Sequence, residues 1–396
     1  MKTLRFEGSG FEYFKIWIVN ILLTIVTLGL YYPWAKVRNR RYFCANSMLE
    51  DRNFEYHATG KQLFIGYLIA MAIFIAFVVV QNISPIGSLV VVGLFVLALP
   101  WIIWRSLKFN MRMTSFSNVR FGFEGNLGGA YINYLILPIL CFLALYAGPI
   151  GLAIFIPMVA GSLGGLTSIV TVIGVLGSLL LALFLFAFLK KRNTSYAING
   201  YRYGQGMFST NVETKAFLWI TLKSIGFTIL AIIGLVILIA VLASISGLAG
   251  KLLEIQGSLQ DPIALQTALG GGILVMIGLL YVGLIILSML IFAYFFTRQR
   301  TYIYENSTLD GQIKFASTLK AGQFAWVIIS NFLLIIVTLG LATPWVKVRL
   351  ARLFLGDTHV DTSVGFDTYV TQKQKEQSSL GEQIGDAFDV DVGVGF

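Results

Sequence analysis

The side chains best placed to do chemistry in this sequence are tryptophans and arginines that occur twice at one spacing. Trp34, Arg38 and Arg41 lie at i, i+4 and i+7 on one helical face, and Trp345, Arg349 and Arg352 repeat that face near the other end of the chain. A guanidinium fork matches the oxygens of a phosphate and Trp settles at headgroup level. These six residues are therefore candidates for an anionic-lipid contact, with simple anchoring at the interface as the competing reading. The apolar run before each set carries polar groups. Asn20, Thr24 and Thr27 share a face, and Asn331 and Thr338 repeat two of the three. Polar groups at membrane depth avoid lipid, so this face would line a pore or pack on another helix.

Other chemistry has little support. Cys44, Cys141, His57 and His359 show no metal-ligand spacing. There is no G-x-S-x-G, H-E-x-x-H or P-loop, and no pair of carboxylates with a base. The expectation is a protein that is not an enzyme and uses no cofactor or metal.

The elements that position these residues follow from composition. A chain of 396 residues that is 57% hydrophobic and 12% charged is too apolar for one water-soluble core, so it is read as an integral membrane protein. The net charge of +10 comes in short bursts at the ends of apolar runs, as orientation signals do, and nucleic acid is not expected as a partner. A bilayer core takes about twenty apolar residues of helix. Eight segments approach that length: Phe14 to Trp34, Phe64 to Val80, Ile86 to Trp104, Tyr131 to Met158, Leu163 to Leu189, Phe217 to Ile245, Gly271 to Phe296 and Phe324 to Trp345. Basic residues follow segments three, five and seven, which makes those joins cytoplasmic and leaves three outward-pointing hairpins.

The cytoplasmic joins share a pattern. Each has a basic helix exit, an Asn (Asn46, Asn118, Asn199, Asn306) and an apolar-x-apolar step: Phe54/Tyr56, Phe121/Phe123, Tyr201/Tyr203, Ile313/Phe315. Asn is turn chemistry and the alternation is strand chemistry. The expected fold is an all-α polytopic membrane protein of eight apolar helical segments, with an internal repeat and a small cytoplasmic β-layer. Strands are expected near Phe6, Phe54, Phe121, Tyr201, Ile313 and Val364. Segments one and eight break the orientation rule if they cross, which favours segments that dip in and return. Residues 1–355 form the membrane domain. From 356 to 396 eight carboxylates face two lysines, an acidic, flexible cytoplasmic tail.

The stretch "IVTLGLYYPWAKVRNRRYF" and its near-copy ending in "TPWVKVRLARLF" resemble the YjgN-like bacterial inner-membrane proteins, a family of unknown function. The resemblance covers Phe6 to Phe354 and implies a multi-pass protein of the bacterial cell inner membrane. It brings no catalytic residue, ligand or cofactor. Two activities remain open. One is small-molecule transport or permeation; the alternative is a structural or adaptor protein that binds anionic lipid or a cytoplasmic partner. The expected partners are membrane lipids with anionic headgroups.

Overall fold

A computed structural model describes residues 1–146, 151, 166–245, 271–361, 365 and 368–376. Its helices come in pairs. They are α1 (Gly10–Val26) with α2 (Tyr32–Ala45), α3 (Gly60–Ile83) with α4 (Pro85–Arg112), and α5 (Leu127–Tyr146) with α6 (Leu166–Gly200). After these come α7 (Thr214–Ile245) with α8 (Gly271–Glu305), and α9 (Ala321–Val337) with α10 (Thr343–Gly356). The six from α3 to α8 are long and apolar enough to cross a membrane. Segments one and eight correspond instead to α1 and α9, of 17 residues each, both followed by a bend and a second helix of 14. Segment four holds Pro138, which lacks an N–H to bond the carbonyl one turn back. A π-turn over Ile132–Ile136 precedes it, and the Leu137 N–H reaches the Ile132 carbonyl.

Between the helix pairs the chain forms short strands: β1 (Lys2–Thr3), β2 (Arg5–Phe6), β3 (Ser47–Leu49), β4 (Arg52–Tyr56), β5 (Thr114–Phe116), β6 (Val119–Phe123), β7 (Tyr201–Tyr203), β8 (Gly206–Thr210), β9 (Ser307–Leu309), β10 (Ile313–Ser317) and β11 (Thr358–Val360). Neighbours from β2 through β11 pair antiparallel in chain order. The N-terminal run closes the sheet. Lys2 and Thr3 pair with β11, the Leu4 N–H bonds the Thr358 carbonyl at 3.1 Å, and Arg5 and Phe6 pair with β3. One strand thus serves both edges, and the result is a barrel without an exposed edge. The turns Glu50–Asp51 and Ser117–Asn118 have positive φ at both residues, the twist that two-residue hairpins need.

Inside the barrel Leu49, Phe116, Val119, Tyr203, Leu309, Ile313 and Val360 are buried, and alternate residues such as Asn53, Glu55, Arg120 and Lys314 face out. A helix over residues 368–376 closes the turn end. Its Tyr369 and Val370 join the barrel core, the Tyr369 hydroxyl donates to Asp310 Oδ2 at 2.8 Å, and Gln374 donates to the Ser117 carbonyl at 2.6 Å.

The all-α expectation is therefore corrected: the chain is mostly helical, but the strands close into a barrel rather than a small layer. Phe6, Phe54, Phe121, Tyr201 and Ile313 all lie in strands, while Val364 lies outside the described residues. Asn46 and Asn306 cap α2 and α8 by donating to carbonyls one turn back, Tyr42 and Tyr302, both at 2.8 Å. Asn118 instead occupies a β-turn, and α4 is capped at Met113. The region expected as tail from 356 contributes β11 and the helix at 368–376.

Candidate functional site

Two places in this architecture gather the residues singled out in the sequence or enclose space: the bent hairpins at the two ends of the chain, and the barrel lumen.

In the hairpin α1–α2, Leu28 and Gly29 turn the chain with φ of 50° and 91°, and Leu339 and Gly340 do the same with 49° and 90°. The Gly29 N–H reaches back to the Thr24 carbonyl at 2.7 Å, and Gly340 to Ile335 at 2.8 Å, the six-to-one bond of a Schellman-type cap. Glycine takes this conformation without strain; leucine does not. Pro33 and Pro344, both buried, start the returning helices where a missing N–H costs nothing. Leu28 and Leu339, each 93% exposed, form the tips. Each hairpin starts and ends at adjacent strands: β2 and β3 for the first, β10 and β11 for the second.

This geometry places every residue of the repeated motif. Asn20 is buried; its amide donates to Asn39 Oδ1 at 3.0 Å and its carbonyl oxygen accepts from Arg38 at 3.3 Å. Asn331 is equally buried and accepts from Arg349 at 3.3 Å, but its amide nitrogen has no partner. Thr24 donates to the Asn20 carbonyl at 2.6 Å. Thr27 and Thr338 donate to Leu23 and Leu334 and accept the N–H groups of Tyr31 and Ala342, so they fasten the bend. The expected polar face is thus engaged within the hairpins.

Trp34 with Arg41, and Trp345 with Arg352, dock each hairpin on the next helix of the ring, whereas Arg38 and Arg349 bond within their own hairpins. Trp34 covers Gly60 at the start of α3, where a β-carbon would overlap its ring, and lies 5.0 Å from Phe64. Trp345 covers Gly10 at the start of α1 and lies 5.2 Å from Phe14. Arg41 donates to the Ala58 carbonyl at 3.2 Å and Arg352 to the Gly8 carbonyl at 2.8 Å, each just ahead of a capping box, Thr59/Gln62 or Ser9/Glu12. Since α10 packs on α1 as α2 packs on α3, the helices close into a ring over the closed barrel. All four arginines remain exposed and keep further donors.

The lumen was missed by sequence reasoning. A cavity of about 380 Å³ is lined by inward strand residues, among them Phe54, Phe116, Phe121, Phe208 and Phe315. Ile198, Ile303 and Tyr304 line it from the ends of α6 and α8. No charged side chain lines it among the described residues. At the turn end Lys373 pairs with Asp310 and Glu376, both at 3.2 Å. Burial would raise the Asp310 carboxyl, but bonds from the Met207 N–H, Tyr369 and Lys373 outweigh it and hold that group below its ordinary value. His57 and His359 bond to Ser115 and Thr3 across neighbouring strands, at 2.7 and 2.9 Å. Among the described residues no cluster of ligating side chains could hold a metal.

A barrel whose strands are joined through paired apolar helices defines a polytopic membrane protein. Residues 1–387 match the family described as "Bacterial protein of unknown function (DUF898)", and the chain belongs to this family. It is 30% identical over 360 residues to the "Inner membrane protein YjgN" of Salmonella typhimurium (strain LT2), covering 90% of this chain and 88% of that protein. It is 36% identical over 139 residues to the protein of the same name in Escherichia coli O157:H7, covering 34% of each. No solved structure matches the chain. With six helices able to span, these relatives place the protein in the bacterial inner membrane.

Proposed function

We propose that the protein carries an apolar small molecule between the bilayer and the barrel, as a permeation or transfer protein. The observation that supports this reading is the lumen, a cavity of about 380 Å³ with aromatic and aliphatic walls that reaches the inner ends of the spans. Such walls suit an acyl chain or ring system and disfavour ions and sugars, whose lost hydration nothing there would replace. Coupling to protons or sodium ordinarily uses a carboxylate at membrane depth, and the eight apolar segments contain no Asp or Glu.

In this reading the basic helix ends put the barrel in the cytoplasm, and the two apolar-tipped hairpins dip into the inner leaflet. Three hairpins of spans lie between them as one repeated unit. Reporter fusions at Asn53, Asn118, Asn199 and Asn306 are expected to read cytoplasmic and one at Ser84 to read outside; Gly161 and Ser258, also expected outside, lie outside the described residues. The decisive test is efflux of a fluorescent fatty acid from proteoliposomes. Replacing Leu49 by Trp should fill the lumen and slow protein-dependent efflux about tenfold or more. Unchanged efflux through a folded L49W protein would sink the proposal.

A further inference from the structure

We infer that the N-terminal hairpin holds a phosphoryl anion in a cleft against α10, at a site separate from the barrel lumen. The cleft, about 380 Å³, lies between α1, α2 and α10, and Lys36, Arg40 and Lys347 line it together with Asn20 and Asn39. No carboxylate lines it, and among the described residues none of these three cations makes an ion pair. Among the described residues Lys36 has no hydrogen-bond partner, and Lys347 has only the face of the Tyr13 ring, 5.9 Å from its ammonium. Arg40 donates to the Tyr56 hydroxyl at 3.1 Å and to Asn110, which fixes its guanidinium at the cleft wall.

Three positive side chains line one cleft without a carboxylate among its lining residues, and an anion seated among them would relieve their mutual repulsion. Phosphate suits the set, since Arg supplies a planar fork and the two lysines supply point charges that adapt to its oxygens. The amide nitrogen of Asn39 adds a neutral donor within the same wall. The site belongs to one hairpin only. The second hairpin carries Leu350 and Ala351 where the first carries Asn39 and Arg40, so its matching lysine, Lys347, contributes to the first cleft.

The other wall is apolar. Ile21 and Ile25 belong to the lining, and Ile25 is 65% exposed beside the bare hairpin tip. A phosphoryl group seated on the cations would leave its substituent along these isoleucines, the layout of a phospholipid with headgroup at the cleft and chain in the leaflet. A free phosphate would use the same cations and ignore the apolar wall.

The test uses the full chain in zwitterionic nanodiscs, with affinity for phosphatidylglycerol read by native mass spectrometry and inorganic phosphate added in a parallel arm. Phosphatidylglycerol should bind at one saturable site. K36Q/K347Q should lose about tenfold or more in affinity, because neither lysine holds a structural hydrogen bond, and K36R/K347R should retain binding. A control with the same net charge, K15Q/K61Q, removes two exposed lysines outside the cleft and should bind as wild type. Displacement of the lipid by millimolar phosphate, with the same loss in K36Q/K347Q, would assign the site to the free anion. Equal losses in the two double variants, or none in K36Q/K347Q, would overturn the inference. Efflux through the lumen is a separate readout, so failure of either proposal leaves the other standing.

Discussion

The hairpins α1–α2 and α9–α10 have the same helix lengths, and φ at the leucine and glycine of each bend agrees to within a degree, yet they hold their buried asparagines differently. Asn20 has both ends of its amide engaged, because Asn39 stands opposite its nitrogen. Asn331 has only its oxygen engaged, because Leu350 stands there. The backbone of the pair is thus set by the residues they share, Leu-Gly at the bend and Pro-Trp after it. Their chemistry is set by a few residues they do not share. A tip built once can carry a basic cleft on one copy and an apolar contact on the other.

The largest effects should come from the shared docking residues. Trp34→Ala removes the ring that covers Gly60 and is expected to cost about 2–4 kcal/mol, with Trp345→Ala nearer 1–2 because its ring is 41% exposed. Thermal unfolding in detergent reads both; equal costs would break the distinction between the docked helices.

Next come the asparagines themselves. Asn20→Leu strands Asn39 and loosens Arg38, a loss of about 1–3 kcal/mol, whereas Asn331→Leu deletes an amide whose nitrogen is unpaired and whose one partner, Arg349, keeps Ser330, and should stay within about 1 kcal/mol of wild type. The same assay decides between them. The reverse change follows: Leu350→Asn offers the Asn331 nitrogen the partner that Asn20 has, and should raise stability by roughly 0.5–1.5 kcal/mol. A fall would show that Leu350 is held by packing that an amide cannot replace.

The smallest effect is a response to pH confined to one hairpin. Burial, and then the charge and hydrogen bond of Glu12, push the Tyr42 phenol up to about 12; the second hairpin has Leu353 at the matching place. A raised folded-state value favours the neutral phenol. Its contribution is complete below the ordinary tyrosine value near 10 and is lost as pH rises from there through about 12. Hydrogen exchange at alkaline pH should therefore loosen α1–α2 before α9–α10, and Tyr42→Phe should reduce the difference, the rest belonging to Tyr13, whose phenol burial also pushes up to about 12 and which Phe324 replaces in the second hairpin.

Much of this was legible in the chain. The apolar runs, the basic exits and the doubled L-G-L-x-x-P-W sequence announced paired helices and two bends. Inward strand residues such as Phe54, Phe121 and Ile313 showed through as period-two steps. The leading strands of three β-hairpins did not: Ser47–Leu49, Thr114–Phe116 and Ser307–Leu309 are three residues long, follow closely on helices and show no apolar alternation of the kind that marks Tyr201–Tyr203. For the same reason Asn118 could be aligned with the helix caps Asn46 and Asn306, although it sits in a turn beyond its strand.

The candidate site was half visible. Spacing put Trp34, Arg38 and Arg41 on one face, but Trp34 and Arg41 meet Gly60 and Ala58, reached only when α2 returns beside α3, while Arg38 turns to Asn20 on α1. Lys36 and Arg40 lie on another face of the same helix, and nothing in their spacing says that Lys347 arrives beside them.

By itself, the sequence determined that the chain inserts in a membrane, where its apolar runs and bends fall, and which strand faces turn inward. Those properties depend on hydrophobic transfer, missing N–H groups and positive φ, which act within a few residues. Only the tertiary structure decided that residues 2–6 bond β11 on one side and β3 on the other, that the helices close into a ring, and that a lumen and a cationic cleft result. Closure joins residues more than three hundred positions apart, and local periodicity carries no information about which distant edge satisfies a strand.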